Sequence, residues 1–274
     1  MSLPNYKLSA KDLVVLAFFI LTYLCPPMAE KYLHDSIVPD ASSTQTKKQQ
    51  VAEMFDEIAP RYDVLNRFLS AGIDVSWRRK ALGYLKDLQP QLMLDVATGT
   101  ADVAIMAAEQ LHPQKIIGID ISEKMLEGGR KKVELKELNT LIELQTGDSE
   151  TINFPDATFD SVTVAFGVRN FENLEKGLSE IYRVLKPGGR LVVLEFSKPL
   201  IPGFRQICNW YIGFITPKIA GTVSNKKAYQ YLNRSINAFP EGKNFVAVLT
   251  KTGFKHTQCK PLTLGICSIY TGDK

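Results

Sequence analysis

The chemistry legible in this sequence begins with LDVATGTADVA, Leu94 to Ala104, where an apolar run ending at Val96 gives way to a small-residue turn, Ala97 to Ala101, and then to helix-forming residues from Asp102. A strand–turn–helix junction of this kind lets a ligand approach the backbone closely. Only Gly99 is a glycine; Ala97 and Ala101 stand where a dinucleotide fingerprint wants glycine, and Asp95 and Asp102 flank the turn. A pyrophosphate is disfavoured by that crowding and charge, whereas a cationic or zwitterionic ligand suits it. Asp120 closes the run KIIGID 21 residues after Gly99, where a carboxylate accepts hydrogen bonds from both hydroxyls of a ribose. A ribose without a pyrophosphate points to an adenosine-bearing cofactor such as S-adenosylmethionine. Asp148 and Ser149, after the third apolar run, are placed either to meet the adenine edge or to form an Asx-type turn cap.

The elements that must hold these residues follow from periodicity. Val51, Met54, Phe55 and Ile58 fall at helical spacing; Pro60 suits the first turn of a second helix, and Tyr62, Leu65, Phe68 and Leu69 carry its apolar face to Gly72. A third helix is predicted from Trp77 to Leu88. The runs LMLDVA, KIIGIDI, IELQTG, DSVTVAF and RLVVLEF then alternate with helical segments, the pattern of a parallel sheet covered on both faces. Leu174, Leu178, Ile181 and Leu185 mark one helix face, with Lys186 in its last turn and Pro187-Gly188-Gly189 ending it. The C-terminal stretch reads as an antiparallel hairpin turning near Pro261 to Thr263. The fold class is therefore α/β: a Rossmann-like doubly wound sheet, mostly parallel with an antiparallel C-terminal hairpin, preceded by N-terminal helices.

Composition narrows the partners. The net charge of +4 is spread through mixed-sign segments such as GRKKVELKEL, which read as solvated helix faces and exclude a nucleic-acid patch; Arg78-Arg79-Lys80 reads as ordinary surface. Four cysteines without CxxC spacing and three histidines suggest neither a metal site nor a disulfide framework. Residues 1–46 read as an extension, apolar and then disordered. Its run of about a dozen apolar residues is short for a bilayer span. A membrane anchor, an export signal and residues upstream of the real start compete for it, and Met28 favours the third. Residues 47–274 make the main domain, with an insertion at 199–245 whose stripe Phe204, Ile207, Cys208, Tyr211 and Ile215 suits either a core or homodimer-contact helix or a lid over an apolar ligand.

Taken with RYDVLNRFLSAGID, FGVRNF and YRVLKPGGRLVVLEFSKP, these features resemble the UbiE/MenG family of class I, S-adenosylmethionine-dependent C-methyltransferases, which methylate demethylmenaquinol and, in some members, a polyprenyl benzoquinol. The resemblance runs from about Lys47 to the C-terminus. It implies that Thr100, Asp120, Asp148 and Ser149 contact S-adenosylmethionine, with Gly99 and Asp95 in the same loop. Three positions depart from the family pattern: Ala101 replaces glycine, Asp74 stands where many members carry histidine, and Ala165 where some carry serine. Arg169 and Asn170, directly after the fourth strand, are expected to face the methyl group, Arg169 stabilising a phenolate and Asn170 fixing the ring oxygen. Asp63 or Tyr62 is the expected proton partner. The implied partner is a polyprenylated quinol whose tail needs an apolar groove or the bilayer surface, in a cytoplasmic protein peripheral to the inner face of the membrane. A nicotinamide-dependent dehydrogenase shares Asp120 and offers Tyr182 and Lys186, but lacks the glycine fingerprint. A non-catalytic quinone-binding module is the third reading.

Overall fold

Val-, Ile- and Leu-rich runs become strands here because β-branched side chains pack well on a pleated surface covered from both sides. The computed structural model describes residues 32–199, 201, 203, 206 and 223–274. Strands β1 (Leu92–Val96), β2 (Lys115–Asp120), β3 (Ile142–Thr146), β4 (Phe159–Ala165) and β5 (Leu185–Phe196) are mutually parallel, and β6 (Lys255–Leu262) and β7 (Cys267–Asp273) add an antiparallel pair on β5. The order is β3-β2-β1-β4-β5-β7-β6. The order in which strands are added thus reverses between β1 and β4, and in open α/β sheets ligands bind outside the carboxyl ends of the strands at that switch point.

Helices α1 (Lys47–Ile58), α2 (Tyr62–Leu69) and α3 (Ile73–Gly83) precede the sheet; α4 (Asp102–Leu111), α5 (Glu123–Leu135), α6 (Leu174–Val184), α7 (Val223–Ala238) and α8 (Lys243–Thr252) follow. Each face of the sheet has its own core. One packs Leu174, Leu178 and Ile181 of α6 and Phe245 and Leu249 of α8 against β4 and β5; the other packs Trp77 and Leu82 of α3, Ala104 of α4 and Leu126 of α5. Trp77 Nε1 also donates to Thr263 Oγ1 at 2.8 Å, tying α3 to the far hairpin.

Several boundaries differ from the sequence expectation. Helix α3 starts at Ile73, after Gly72 at φ +76°, and loosens beyond Gly83 into single turns closed by Tyr84 N–H to Ala81 O and Leu85 N–H to Leu82 O. Helix α6 stops at Val184, and Leu185 already pairs with Phe159. Lys186 therefore lies in β5, bonded to Asp160 at 2.6 Å, and Pro187-Gly188-Gly189 forms a bulge there rather than a helix end. The hairpin turns at Thr263–Gly265, leaving Pro261 in β6, an edge strand that tolerates a missing donor.

The leader is also more structured than its polar composition suggests. From Tyr32 to Thr46 the chain forms a strap: Tyr32 Oη donates to Glu175 at 3.0 Å, Lys47 Nζ donates to His34 O at 2.7 Å, and Arg234 donates to Pro39 O at 3.0 Å. His34 is fully buried, and burial pushes its imidazole down to about 3. Long-range polar contacts, invisible in local composition, order this segment. The N-terminal apolar run and the stripe from Phe204 to Ile215 lie outside the described residues. Among the described residues, no helix is long and apolar enough to cross a membrane.

Candidate active site

The switch point opens into a cleft, the place where open α/β sheets hold small molecules. The end of β1 and the turn after it (Val96, Ala97, Gly99) form one wall; the end of β4 and the following residues (Ala165, Phe166, Gly167, Asn170) form the other. Asp120 and Met125 close one side, Asp148, Ser149 and Glu150 another, and Val51, Phe55 and Tyr62 from the N-terminal helices lie over it.

The turn is strained and heavily tied down. Ala97, Gly99 and Ala101 sit at φ +55°, +56° and +64°, in the left-handed region that costs an L-residue about 1–2 kcal/mol. Strain of this kind persists only where the surroundings over-determine the backbone. Asp95 supplies part of that constraint: one carboxylate oxygen accepts from Thr98 and the other from Thr163, each at 2.6 Å. Asp95 is thus buried beneath the turn rather than exposed in the cleft, and burial pushes its carboxyl up to about 6. Gly167 comes so close to the turn that a Cβ there would sit 2.5 Å from Ala97 Cβ.

Asp120 is held at the end of β2 by two backbone donors, Gly99 N–H at 2.8 Å and Ser122 N–H at 2.9 Å. Burial, opposed by those bonds, pushes its carboxyl up to about 6. Asp148 Oδ1 accepts from Glu150 N–H at 2.9 Å in the expected Asx-type turn, and the residue also lines the cleft. Its other oxygen is bonded to Lys48 at 2.5 Å.

Thr100 and Asp63 meet each other instead of the cleft. Thr100 Oγ1 donates to Asp63 Oδ1 at 2.6 Å, and Lys132 Nζ donates to Asp63 at 2.9 Å, to Thr100 at 3.0 Å and to Asp102 at 2.5 Å. Asp63 is therefore held in a clamp between α2, α5 and the turn, outside the lining of the cleft. Lys132 belongs to the stretch read as a solvated face, and Arg78, read as surface, is buried against Asp74 and within 3.6 Å of Asp102. Asp74 also accepts from Ser70 at 2.7 Å and from Arg67 of α2 at 3.3 Å, which anchors α3 to α2.

Arg169 turns back from the cleft. Its Nη1 donates to Glu195 at 2.8 Å and to Phe166 O at 2.5 Å, with the guanidinium over the Phe196 ring at 5.6 Å from its centroid. Glu195 is fully buried. Asn170, next in sequence, does line the cleft, as does Tyr62, whose phenol burial shifts upward. The structure thus brings Tyr62, Gly99, Asp120, Asp148, Ser149 and Asn170 to one cavity and leaves Asp63, Asp95, Thr100 and Arg169 outside its lining. Among the described residues, no group of three or more His, Cys, Asp or Glu is arranged to hold a metal ion.

A model of the ubiE/COQ5 methyltransferase family matches residues 43–274. The chain belongs to that family. Similar relatives include the demethylmenaquinone methyltransferase of Bacteroides fragilis, 47% identical over 89% of this chain and 99% of that protein, and that of Deinococcus radiodurans, 44% identical over 86% and 97%. The ubiquinone/menaquinone biosynthesis C-methyltransferase UbiE of Geotalea daltonii is 48% identical over 83% and 97%. Among solved structures, a SAM-dependent methyltransferase of Thermotoga maritima shares the fold with TM-score 0.57 at 18% identity, over 81% of this chain and 99% of that one. The expected fold class is borne out by these strands and this likeness.

Within this ubiE/COQ5 methyltransferase, sequence reasoning passed over Lys48, Phe55, Phe171 and Glu172 in the cleft wall and Lys132 in the clamp. Lys48, Val51 and Phe55 lie at i, i+3 and i+7, one helix face, so the first two omissions had a signal. Lys132 had none, since its partners come from two segments distant in sequence, Asp63 and the Thr100–Asp102 turn.

Proposed function

We propose that this methyltransferase moves the methyl group of S-adenosylmethionine onto a ring carbon of a demethylmenaquinol. The observation that carries the reading is the cleft at the β1–β4 switch point, with Asp120 and Asp148 on its cofactor side and Asn170, Tyr62 and an apolar wall on the other. The curated relatives named for demethylmenaquinone favour a naphthoquinol over the benzoquinol alternative.

The residues fit this cofactor. Asp120 would take the ribose hydroxyls, Asp148 and Ser149 the adenine edge, and the small turn around Gly99 the amino-acid portion, with carboxylates suited to its cationic groups. When bound, S-adenosylmethionine supplies an electrophilic methyl group. The chain itself does three things. It holds the ring by Asn170 and Tyr62; the Tyr62 phenol, shifted upward by burial, stays protonated and donates to a phenolate oxygen. It fixes the turn that carries Asn170 through the buried Arg169–Glu195 ion pair. It excludes water with Val51, Phe55 and Phe171. Thr100, Asp63 and Asp95 act on the cofactor by fixing the turn. A polyprenyl tail extends from the cleft to an apolar surface, which makes the protein peripheral to the membrane in this reading.

The test is transfer of radiolabelled methyl from S-adenosylmethionine to a short-chain demethylmenaquinol under reducing conditions, with the full chain and with a form started at Met28. Label in the naphthoquinol is the expected result. Binding of cofactor with no label would move the reading to the benzoquinol and, if that also fails, to a non-catalytic quinone-binding role.

A further inference from the structure

One buried hydroxyl reaches the cleft wall from a helix that the sequence motifs do not touch. Tyr231, on α7, donates from Oη to Asn170 Oδ1 at 3.2 Å. Its ring is 1% exposed, among the largest fully buried side chains of the chain, and Ser235 one turn later is fully buried as well. Burial pushes the Tyr231 phenol far upward, so the hydroxyl keeps the proton that it donates to Asn170. Asn170 itself is only partly covered and lines the cleft.

A primary amide has two faces of opposite character: a carbonyl oxygen that only accepts and an amino group that only donates. Tyr231 occupies the accepting face. With the amide turned round, the Tyr231 proton would lose its acceptor in a buried site, an arrangement that folded proteins avoid. What remains for the cleft is the donating face. A ring oxygen that gains negative charge as its carbon becomes nucleophilic needs donors and is repelled by a carbonyl. The Arg169 guanidinium is paired with Glu195 beside the same turn and does not take the place of that donor.

We propose that Tyr231 is a positioning residue for methyl transfer: it locks the Asn170 amide so that the amino group, not the carbonyl, meets the substrate oxygen. The inference rests on the quinol-methylation reading above. It gives α7 a part in the reaction, since this helix packs on both α1 and the Val168–Asn170 turn and thereby links the cover of the cleft to its reacting wall.

The experiment uses the full chain and a short-chain demethylmenaquinol. Tyr231→Phe keeps the ring and removes the donor; kcat is expected to fall at least tenfold, while S-adenosylhomocysteine affinity stays within threefold of the parent. Adding Tyr231→Phe to Asn170→Ala is expected to cost nothing further, because the amide it orients is gone. A merely structural role would show as additive losses or as a parallel loss of cofactor affinity, and either overturns the proposal. Asn170→Asp supplies a readout independent of how well the tyrosine variant folds: its carboxylate still accepts from Tyr231 but offers the cleft no donor, so turnover should fall at least as far as in Asn170→Ala. Retained turnover in Asn170→Asp removes the donor argument. If the parent binds S-adenosylhomocysteine but methylates no quinol, the functional reading fails and takes this inference with it. If the parent turns over and Tyr231→Phe matches it within threefold, the inference alone fails.

Discussion

The Thr100 hydroxyl donates to Asp63 Oδ1 at 2.6 Å, joining the second N-terminal helix to the turn that follows β1. Lys132 bonds to both partners, so α2, α5 and the turn meet in one polar clamp on the outer side of the cleft. The turn contains two alanines in the left-handed region, and the clamp is one of the restraints that keep it there.

Asp63→Ala should weaken cofactor binding without unfolding the domain. A hydrogen bond to a charged group is worth about 1.5–3 kcal/mol, and partial exposure of Asp63 and Lys132 places the effect at the lower end, roughly tenfold in affinity. Titration calorimetry with S-adenosylhomocysteine measures it. Parent-like affinity would show that the turn keeps its shape without α2.

Cofactor affinity should fall as pH drops below about 6. Burial raises the Asp120 carboxyl to about 6 in the free protein, and ribose hydroxyls donating to the ionised form lower it again in the complex. Protonation of the free protein therefore competes with binding, by up to tenfold per pH unit, while above pH 6 the affinity levels off. Calorimetry between pH 5 and 8 checks this, and Asp120→Asn should give weak binding with a flatter profile. A parent profile that is flat across pH 6 would take Asp120 out of the ribose site.

Gly167→Ala should abolish cofactor binding, and Ala97→Gly should restore much of it. The new Cβ would lie 2.5 Å from Ala97 Cβ, forcing the two turns of the cleft apart. Removing the Ala97 methyl opens that space at a position whose φ of +55° suits glycine. Binding by the single variant, or no recovery in the double one, would contradict the packing described between these turns.

The strap should make stability acid-sensitive through His34. The imidazole's ordinary value of 6.5 is pushed down to about 3 by burial, so the neutral ring contributes stability that is complete above pH 6.5 and declines as the pH falls toward 3. Relative to His34→Phe, the parent should lose up to about 1.4 kcal/mol per pH unit below 6.5. Urea unfolding of both proteins at pH 7.5 and 5 tests the sign. An unchanged difference would mean that the ring is not buried in solution.

The sequence by itself determined the alternation of strands and helices, the small-residue turn after β1, and the strand-terminal carboxylate of Asp120, because each is written in local periodicity or in one short spacing. Tyr62, Gly99, Asp148, Ser149 and Asn170 were legible for the same reason: they stand at strand ends or on the apolar face of a helix. Only the tertiary structure decided which neighbours face the cleft. Asp63 and Thr100 are 37 residues apart, Asn170 and Tyr231 are 61 apart, and Arg169 and Glu195 are 26 apart. Such pairings depend on how each helix is rotated against the sheet, and buried polar groups then choose one another because no water is there to satisfy them. The same competition ended α6 at Val184, where a strand partner at Phe159 prevailed over the helical period, and ordered a strap whose polar composition reads as a loose leader.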